Sequence, residues 1–211
     1  MKKTTLKVRL TFIRPMLATS PGDKKIYEEF IASKAETPEK AKAELDGLTV
    51  EEAIEHASTV FFRGPNGEIR TSSHLVKGNI KENIRNLIDL GDCPLSQWQV
   101  KRVVNSFVQM PDEFITYNVA GEVTTLQRPL RAETLRGDRV ALARSEQIGS
   151  ASTCEFSIIV LEPENLPLAK KDKGSDHLPL SAYVQQALRY GEFNGLGCWR
   201  SAGFGRYSVE I

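Results

Sequence analysis

Near its C-terminus the chain runs Gly195-Leu196-Gly197-Cys198-Trp199-Arg200-Ser201-Ala202-Gly203-Phe204-Gly205-Arg206-Tyr207. Each Gly-x-Gly pair encloses an apolar residue, and glycine admits both positive φ and the close approach of a second backbone. N–H groups exposed along such a loop form a nest for phosphate oxygens. Arg200 and Arg206 supply charge there, and Trp199 a face on which a base can stack. The same residues also suit a glycine-rich hairpin that closes the domain with Trp199 in its core, so two readings stand open.

A second group, Thr71-Ser72-Ser73-His74-Leu75-Val76-Lys77-Gly78-Asn79-Ile80-Lys81-Glu82-Asn83-Ile84-Arg85, places two hydroxyls at the start of a helix. Lys77, Lys81 and Arg85 recur at four-residue spacing, which lines three cations along one helical face. Free N–H groups at the helix start add a favourable place for an anion. A solvated outer face is the plainer reading of such a stripe. Gly78 lowers helix stability and points to tight contact at that place, by packing or by a ligand. A third group spreads Arg128, Arg131, Arg136, Arg139 and Arg144 over a stretch whose acids are Glu133 and Asp138. The planar guanidinium suits phosphate recognition, although some of these arginines are expected to pair with Glu133, Asp138 and Glu146.

Other chemistries lack their residues. There is no GxxxxGK[S/T], HExxH, GxSxG or strand-to-helix GxGxxG motif. His56, His74 and His177 stand apart from one another and from Cys93, Cys154 and Cys198, so no metal site and no cofactor are expected. His74, beside the basic helix, is read first as a polar residue at a helix start and second as a general acid or base.

Several elements must position these groups. Residues 6–13 alternate as a half-buried strand. Residues 23–34, a stretch opened by Thr37-Pro38-Glu39, and a short piece from Thr49 to His56 read as helices. Val60-Phe61-Phe62 and Glu68-Ile69-Arg70 flank a tight turn, and Ser72 or Ser73 starts a helix to Leu90 that Gly91 ends. LSQWQVKRVVNSFVQM is a second helix, and FITYNV with EVTTLQ is expected to make a hairpin around Ala120-Gly121. The arginine-rich stretch reads as loop, short apolar stretch and loop before the strand Thr153–Leu161. Residues 163–178 form a connector, Leu180–Tyr190 a helix ended by Gly191, and Arg206–Ile211 a last strand. This order argues an α+β fold with a largely antiparallel sheet.

The total charge of +1 conceals a division. From Gly22 to His56 ten acids face five bases, a charge of −5, which leaves +6 on the rest. An acidic piece is set into a basic body. With 40% hydrophobic and 26% charged residues the chain has the balance of a globular protein, which excludes wholesale disorder. Widely spaced, odd-numbered cysteines and a start, MKKTTLKVRLTFI, without a signal peptide's apolar core lead us to expect the cytoplasm and no membrane partner.

Taken in order, the three groups resemble the RAMP superfamily of CRISPR effector subunits, especially the backbone subunits that line up along guide RNA. GLGCWRSAGFGRY is similar to the superfamily's G-h-G-x5-G-h-G loop, with h apolar. IRTSSHLVKGNIKENIR resembles its Gly/Ser-Ser-(apolar)-Lys/Arg-Gly-x-(apolar)-Arg segment, and RVALARSEQIGSASTCEFSIIVL its Glu, turn and strand. The resemblance implies a ferredoxin-like (RRM-like) antiparallel sheet core in residues 1–21 and 57–211, with 22–56 a peripheral helical insertion. It implies binding of single-stranded RNA, with single-stranded DNA the alternative, mainly through the backbone, in an oligomer or with other effector subunits. Lys77, Lys81 and Arg85 would meet phosphates from the helix. Trp199, Arg200 and Arg206 would do so from the loop of Gly195, Gly197, Gly203 and Gly205. Arg128, Arg131, Arg136 and Arg139 join them as candidate contacts. Asp23 lies where some backbone subunits carry a catalytic Asp, but ATSPGDKK lacks the Ile-Gly-rich context, so catalysis is not carried over.

The expected function is therefore non-catalytic nucleic-acid binding in antiviral defence. The alternatives are a stand-alone phage-type relative that interferes with defence by mimicry, a metal-independent endoribonuclease using His74, and a protein-binding scaffold that engages a partner through the acidic piece.

Overall fold

Alternation along KKTTLKVRLTF builds strand β1 (Lys2–Phe12), which buries Leu6, Val8, Leu10 and Phe12 and leaves Lys7 and Arg9 exposed. In this computed structural model the described residues are 2–21, 58–134, 137–169 and 177–211, with backbone alone for 130–142. The expected insertion 22–56, with Asp23, and Arg136 lie outside them.

β1 lies between two antiparallel partners, β11 (Thr153–Glu162) and β12 (Tyr207–Glu210). β11 pairs in turn with β8 (Phe114–Asn118), which pairs with β6 (Ile69–Ser72), and β6 with β5 (Phe62–Arg63). Helix α1 (Ser73–Leu90) falls between β1 and β8 in the chain, and α3 (Leu180–Asn194) between β11 and β12. With the additions set aside, the order is β-α-β-β-α-β and the strand arrangement β12-β1-β11-β8, antiparallel throughout. This is the α+β ferredoxin-like arrangement. One core joins Val76, Ile80 and Ile84 of α1, Val184 and Leu188 of α3, and Phe156, Ile158 and Val160 of β11 to the buried side of β1.

α1 begins and ends where its sequence says. The Ser72 hydroxyl accepts from His74 N at 3.3 Å, and Gly91 at φ 88° turns the chain away. Gln97–Gln99 makes one 3-10 turn into α2 (Val100–Phe107), whose inner side buries Val100, Val103 and Val104.

Three expectations are corrected. FITYNV and EVTTLQ make no hairpin, because β8 pairs with β6 and β11. The arginine-rich stretch is a hairpin instead of a loop. Its strands β9 (Thr124–Thr134) and β10 (Gly137–Ile148) pair from Gln147↔Thr124 to Gly137↔Thr134. β10 carries it into a second sheet with β2 (Met16–Leu17), β4 (Ser58–Val60) and β3 (Ser20–Pro21). Polar residues throughout β9 hide the period-two signal, and Pro129 is tolerated because β10 is the one strand beside it among the described residues. Gly191 does not end α3, which continues to Asn194. Gly191 is buried inside the helix, where a Cβ would collide with the Tyr207 hydroxyl.

Candidate nucleic-acid interface

On α1, His74, Lys77, Lys81 and Arg85 follow one another at helical spacing on the side away from the core. Lys77 Nζ donates to the Asn105 carbonyl and Lys81 Nζ to Asn105 Oδ1, both at 3.4 Å, so two ammonium groups converge on the end of α2. Burial, and after it the Lys81 charge, holds the Lys77 ammonium below its ordinary range. Among the described residues no carboxylate forms an ion pair with Lys77, Lys81 or Arg85. A row of cations that repel one another and lack counter-charges is a favourable surface for a polyanion. Gly78 lies beside this row with open space where a Cβ would be, so packing within the chain does not account for it. His74 is exposed.

The glycine loop is built differently. Its N–H groups largely serve the fold: Gly195 donates to Gly191 O, Leu196 to Gly205 O, Cys198 to Leu17 O, Ala202 to Trp199 O, Gly203 to Arg200 O and Gly205 to Pro15 O. Gly205, at φ 70°, leaves no space for a side chain, since a Cβ would overlap the Leu196 carbonyl. Gly197, at φ 93°, likewise brings the loop onto Leu17 O. Trp199 stacks on Phe204 with centroids 5.1 Å apart and planes 13° apart, and the Arg128 guanidinium sits 4.0 Å from its ring centroid. Arg200 Nη2 donates to both Glu82 carboxylate oxygens, at 2.9 and 3.1 Å, and so fastens the loop to α1. Burial raises the Cys198 thiol against the opposing pull of Arg128 and Arg200, which flank it. Arg206 is exposed and lies 6.0 Å from the ring of Phe193, itself an exposed side chain.

The loop and α1 are therefore brought together, with Glu82 as the joint. A chain of buried amides reinforces it. Asn83 Nδ2 donates to Asn79 Oδ1 at 2.9 Å and to Ala187 O at 3.0 Å, Asn79 Nδ2 to Gly195 O at 2.9 Å, and Asn194 Nδ2 to Asn83 Oδ1 at 2.7 Å. Sequence reasoning passed over Asn79 and Asn83, although two amides four residues apart inside an apolar stripe are a signal that buried partners must exist. It also passed over Asn105 and Glu82, whose roles depend on residues distant in the chain. Arg131 and Arg139 lie on the hairpin, in register with Val140 and Ala132. Arg144 pairs in parallel with Ser58.

The open side of the main sheet has another character. Lys7 and Arg9 border an open pocket of about 460 Å³ together with Asp112, Glu155 and Glu210, so acids outnumber bases. Arg9 forms an ion pair with Glu155 at 3.7 Å. The outward residues of β1 and β11 include no aromatic ring, so the base-stacking platform of an RRM sheet is missing from these two strands. Among the described residues no group of three His, Cys, Asp or Glu is placed to hold a metal, and no helix is long and apolar enough to cross a membrane.

No family model and no curated protein matches the sequence. Among solved structures the chain is similar, over 100% of its length, to a chain in the cryo-EM structure of the Type III-B Cmr-beta bound to cognate target RNA, with TM-score 0.52 and 11% identity. The likeness is one of fold. The present chain spans 60% of that neighbour's length.

Proposed function

We propose that this chain binds the backbone of single-stranded nucleic acid, RNA in the first place, without cleaving it, as a RAMP-like subunit of a CRISPR-type effector assembly. The observation that carries the reading is the row Lys77, Lys81 and Arg85. It has no carboxylate partners among the described residues, and two of its members converge on one asparagine. The fold likeness to a chain of an RNA-bound assembly supports RNA as the polyanion and association with other subunits. In this reading Arg206 adds a phosphate contact from the loop, Arg131 and Arg139 add contacts along the hairpin, and Arg136 remains a candidate from the sequence. Trp199, Arg128 and Arg200 shape the loop, with Arg200 a positioning residue held by Glu82. The acidic segment 22–56 is assigned to contact with protein partners.

Phosphate contacts carry no base information, so binding is expected to be salt-sensitive and nearly indifferent to sequence. The test is purification with and without nuclease treatment, with absorbance read for copurifying nucleic acid, followed by titration of a labelled 30-nucleotide RNA at two salt concentrations. Affinity independent of salt, or no affinity at low salt, overturns the reading.

A further inference from the structure

The α1–α2 surface presents a residue that the row of cations does not explain. Trp98 is 93% exposed, against 39% for Trp199. It is not a loose side chain on a loose loop. On one side Gln97 Nε2 donates to the Arg85 carbonyl at 3.0 Å and to Asp89 Oδ1 at 2.8 Å, which pins the 3-10 turn to α1. On the other side Val100 is fully buried in the core. The indole is held outward between two fixed points. Lys101 and Arg102 follow it at i+3 and i+4, so all three lie on the outer side of the turn and α2. Arg102 Nε is steadied by Gln99 Oε1 at 2.7 Å, and neither cation forms an ion pair among the described residues.

We propose that Trp98 is a stacking platform for one unpaired base, with Lys101 and Arg102 holding the adjoining phosphates. A single strand then crosses from the α1 row onto α2. This rests on the nucleic-acid reading given above and adds a contact to the base itself. A flat ring amid cations is how sequence-tolerant single-strand binding is built, since every base has a π-face and every step a phosphate. The charge argues against other occupants. The core of a protein interface is depleted in charged residues. A second copy meeting this face by two-fold symmetry would set the cationic patch of Arg85, Lys101 and Arg102 against the same patch. Trp199 offers no such platform, because Phe204 and Arg128 already occupy its ring.

The chain has two tryptophans, so Trp199→Phe leaves Trp98 as the one indole reporter. Titration of that variant with a 20-nucleotide oligouridylate at low salt is expected to quench its fluorescence. In the otherwise native chain, Trp98→Ala should weaken binding about 10-fold while leaving the slope of log affinity against log salt unchanged, and Trp98→Phe should retain most of the affinity. Lys101→Ala with Arg102→Ala should lower that slope by roughly 1.4. Equal affinity for Trp98→Ala and the native chain, with Lys77→Ala/Lys81→Ala/Arg85→Ala still weak, overturns the platform and leaves the backbone reading intact. A changed elution volume for Trp98→Ala with unchanged RNA affinity assigns the ring to a protein contact and also overturns it. Failure of the native chain to bind the oligomer overturns both.

Discussion

The α1–α2 ridge and the glycine loop hold much the same kinds of residue, a tryptophan among cations, and use them in opposite ways. In the loop, Trp199 is stacked and capped, Arg200 is bound to Glu82, and the N–H groups of Gly195, Leu196, Cys198, Ala202, Gly203 and Gly205 are engaged inside the chain. On the ridge, Trp98 stands in solvent, and Lys77, Lys81, Arg85, Lys101 and Arg102 have no carboxylate partner among the described residues. Satisfied groups build a rigid part, whereas surface cations without a counter-charge keep their field for a ligand. Residue types are alike in the two regions, and the partner inventory separates a brace from a surface on offer.

The largest expected effect sharpens that contrast. Lys77→Ala/Lys81→Ala/Arg85→Ala should weaken RNA binding by about 100-fold, taking roughly 1 kcal/mol per lost phosphate contact, and flatten the salt slope by roughly 2. Titration at several salt concentrations reads both quantities, and an unchanged slope would break the assignment of the ridge. Next, Asn83→Ala should cost about 2–3 kcal/mol of stability, because Asn194 Nδ2 and the Ala187 carbonyl lose a buried partner. Thermal unfolding measures it, and the loop should become more susceptible to proteolysis. Gly205→Ala should cost roughly 2 kcal/mol through positive φ and the Leu196 carbonyl, about 6 °C in melting temperature.

Smaller effects distinguish the regions by pH and salt. The ammonium of Lys77 is held below its ordinary range, so it loses its proton earlier than a free lysine as pH rises. RNA affinity should therefore decline on the alkaline side before the other lysines titrate, and Lys77→Arg should remove that decline. Affinity measured from pH 7 upward checks the sign. The same depression means that the folded chain binds that proton less tightly than the unfolded one. The resulting penalty is full below the folded pKa and is relieved as pH rises through it. Smallest of all, Arg200→Ala should cost at most about 1 kcal/mol of stability, since the pair is partly solvated, and change RNA affinity less than about 3-fold. A loss comparable to that of the ridge variant would make the loop a binding surface and erase the contrast.

What could be read from the chain alone follows the range of the interactions. β1, β11 and α1 were legible because periodicity, the Ser72 cap and Gly91 are local signals. The β9–β10 hairpin was not, because both strands carry polar residues on both sides and the other partners of β10, strands β2 and β4, lie far off in sequence. Gly191 looked like a helix stop because its reason, the Tyr207 hydroxyl, arrives sixteen positions later on another strand. In the candidate interface, the placing of Lys77, Lys81 and Arg85 on one side of α1 is helical arithmetic and was legible. The Arg200–Glu82 pair spans a sequence separation of 118 and was beyond reach. Trp98 was passed over because the outer side of α2 reads as ordinary helix surface until its burial is known.

Strands β3 and β4 pair through Ser20↔Val60 and Pro21↔Thr59, so the chain leaves for residues 22–57 and returns from them through two hydrogen-bonded neighbours. That geometry makes the join an exchangeable socket. With the ends already clasped, halving the intervening length twice alters loop-closure entropy by only about 1 kcal/mol. A different sequence can therefore be seated there while the ferredoxin-like sheet, the braced loop and the cationic ridge stay as they are. The segment and the cationic ridge can then diverge independently in one polypeptide.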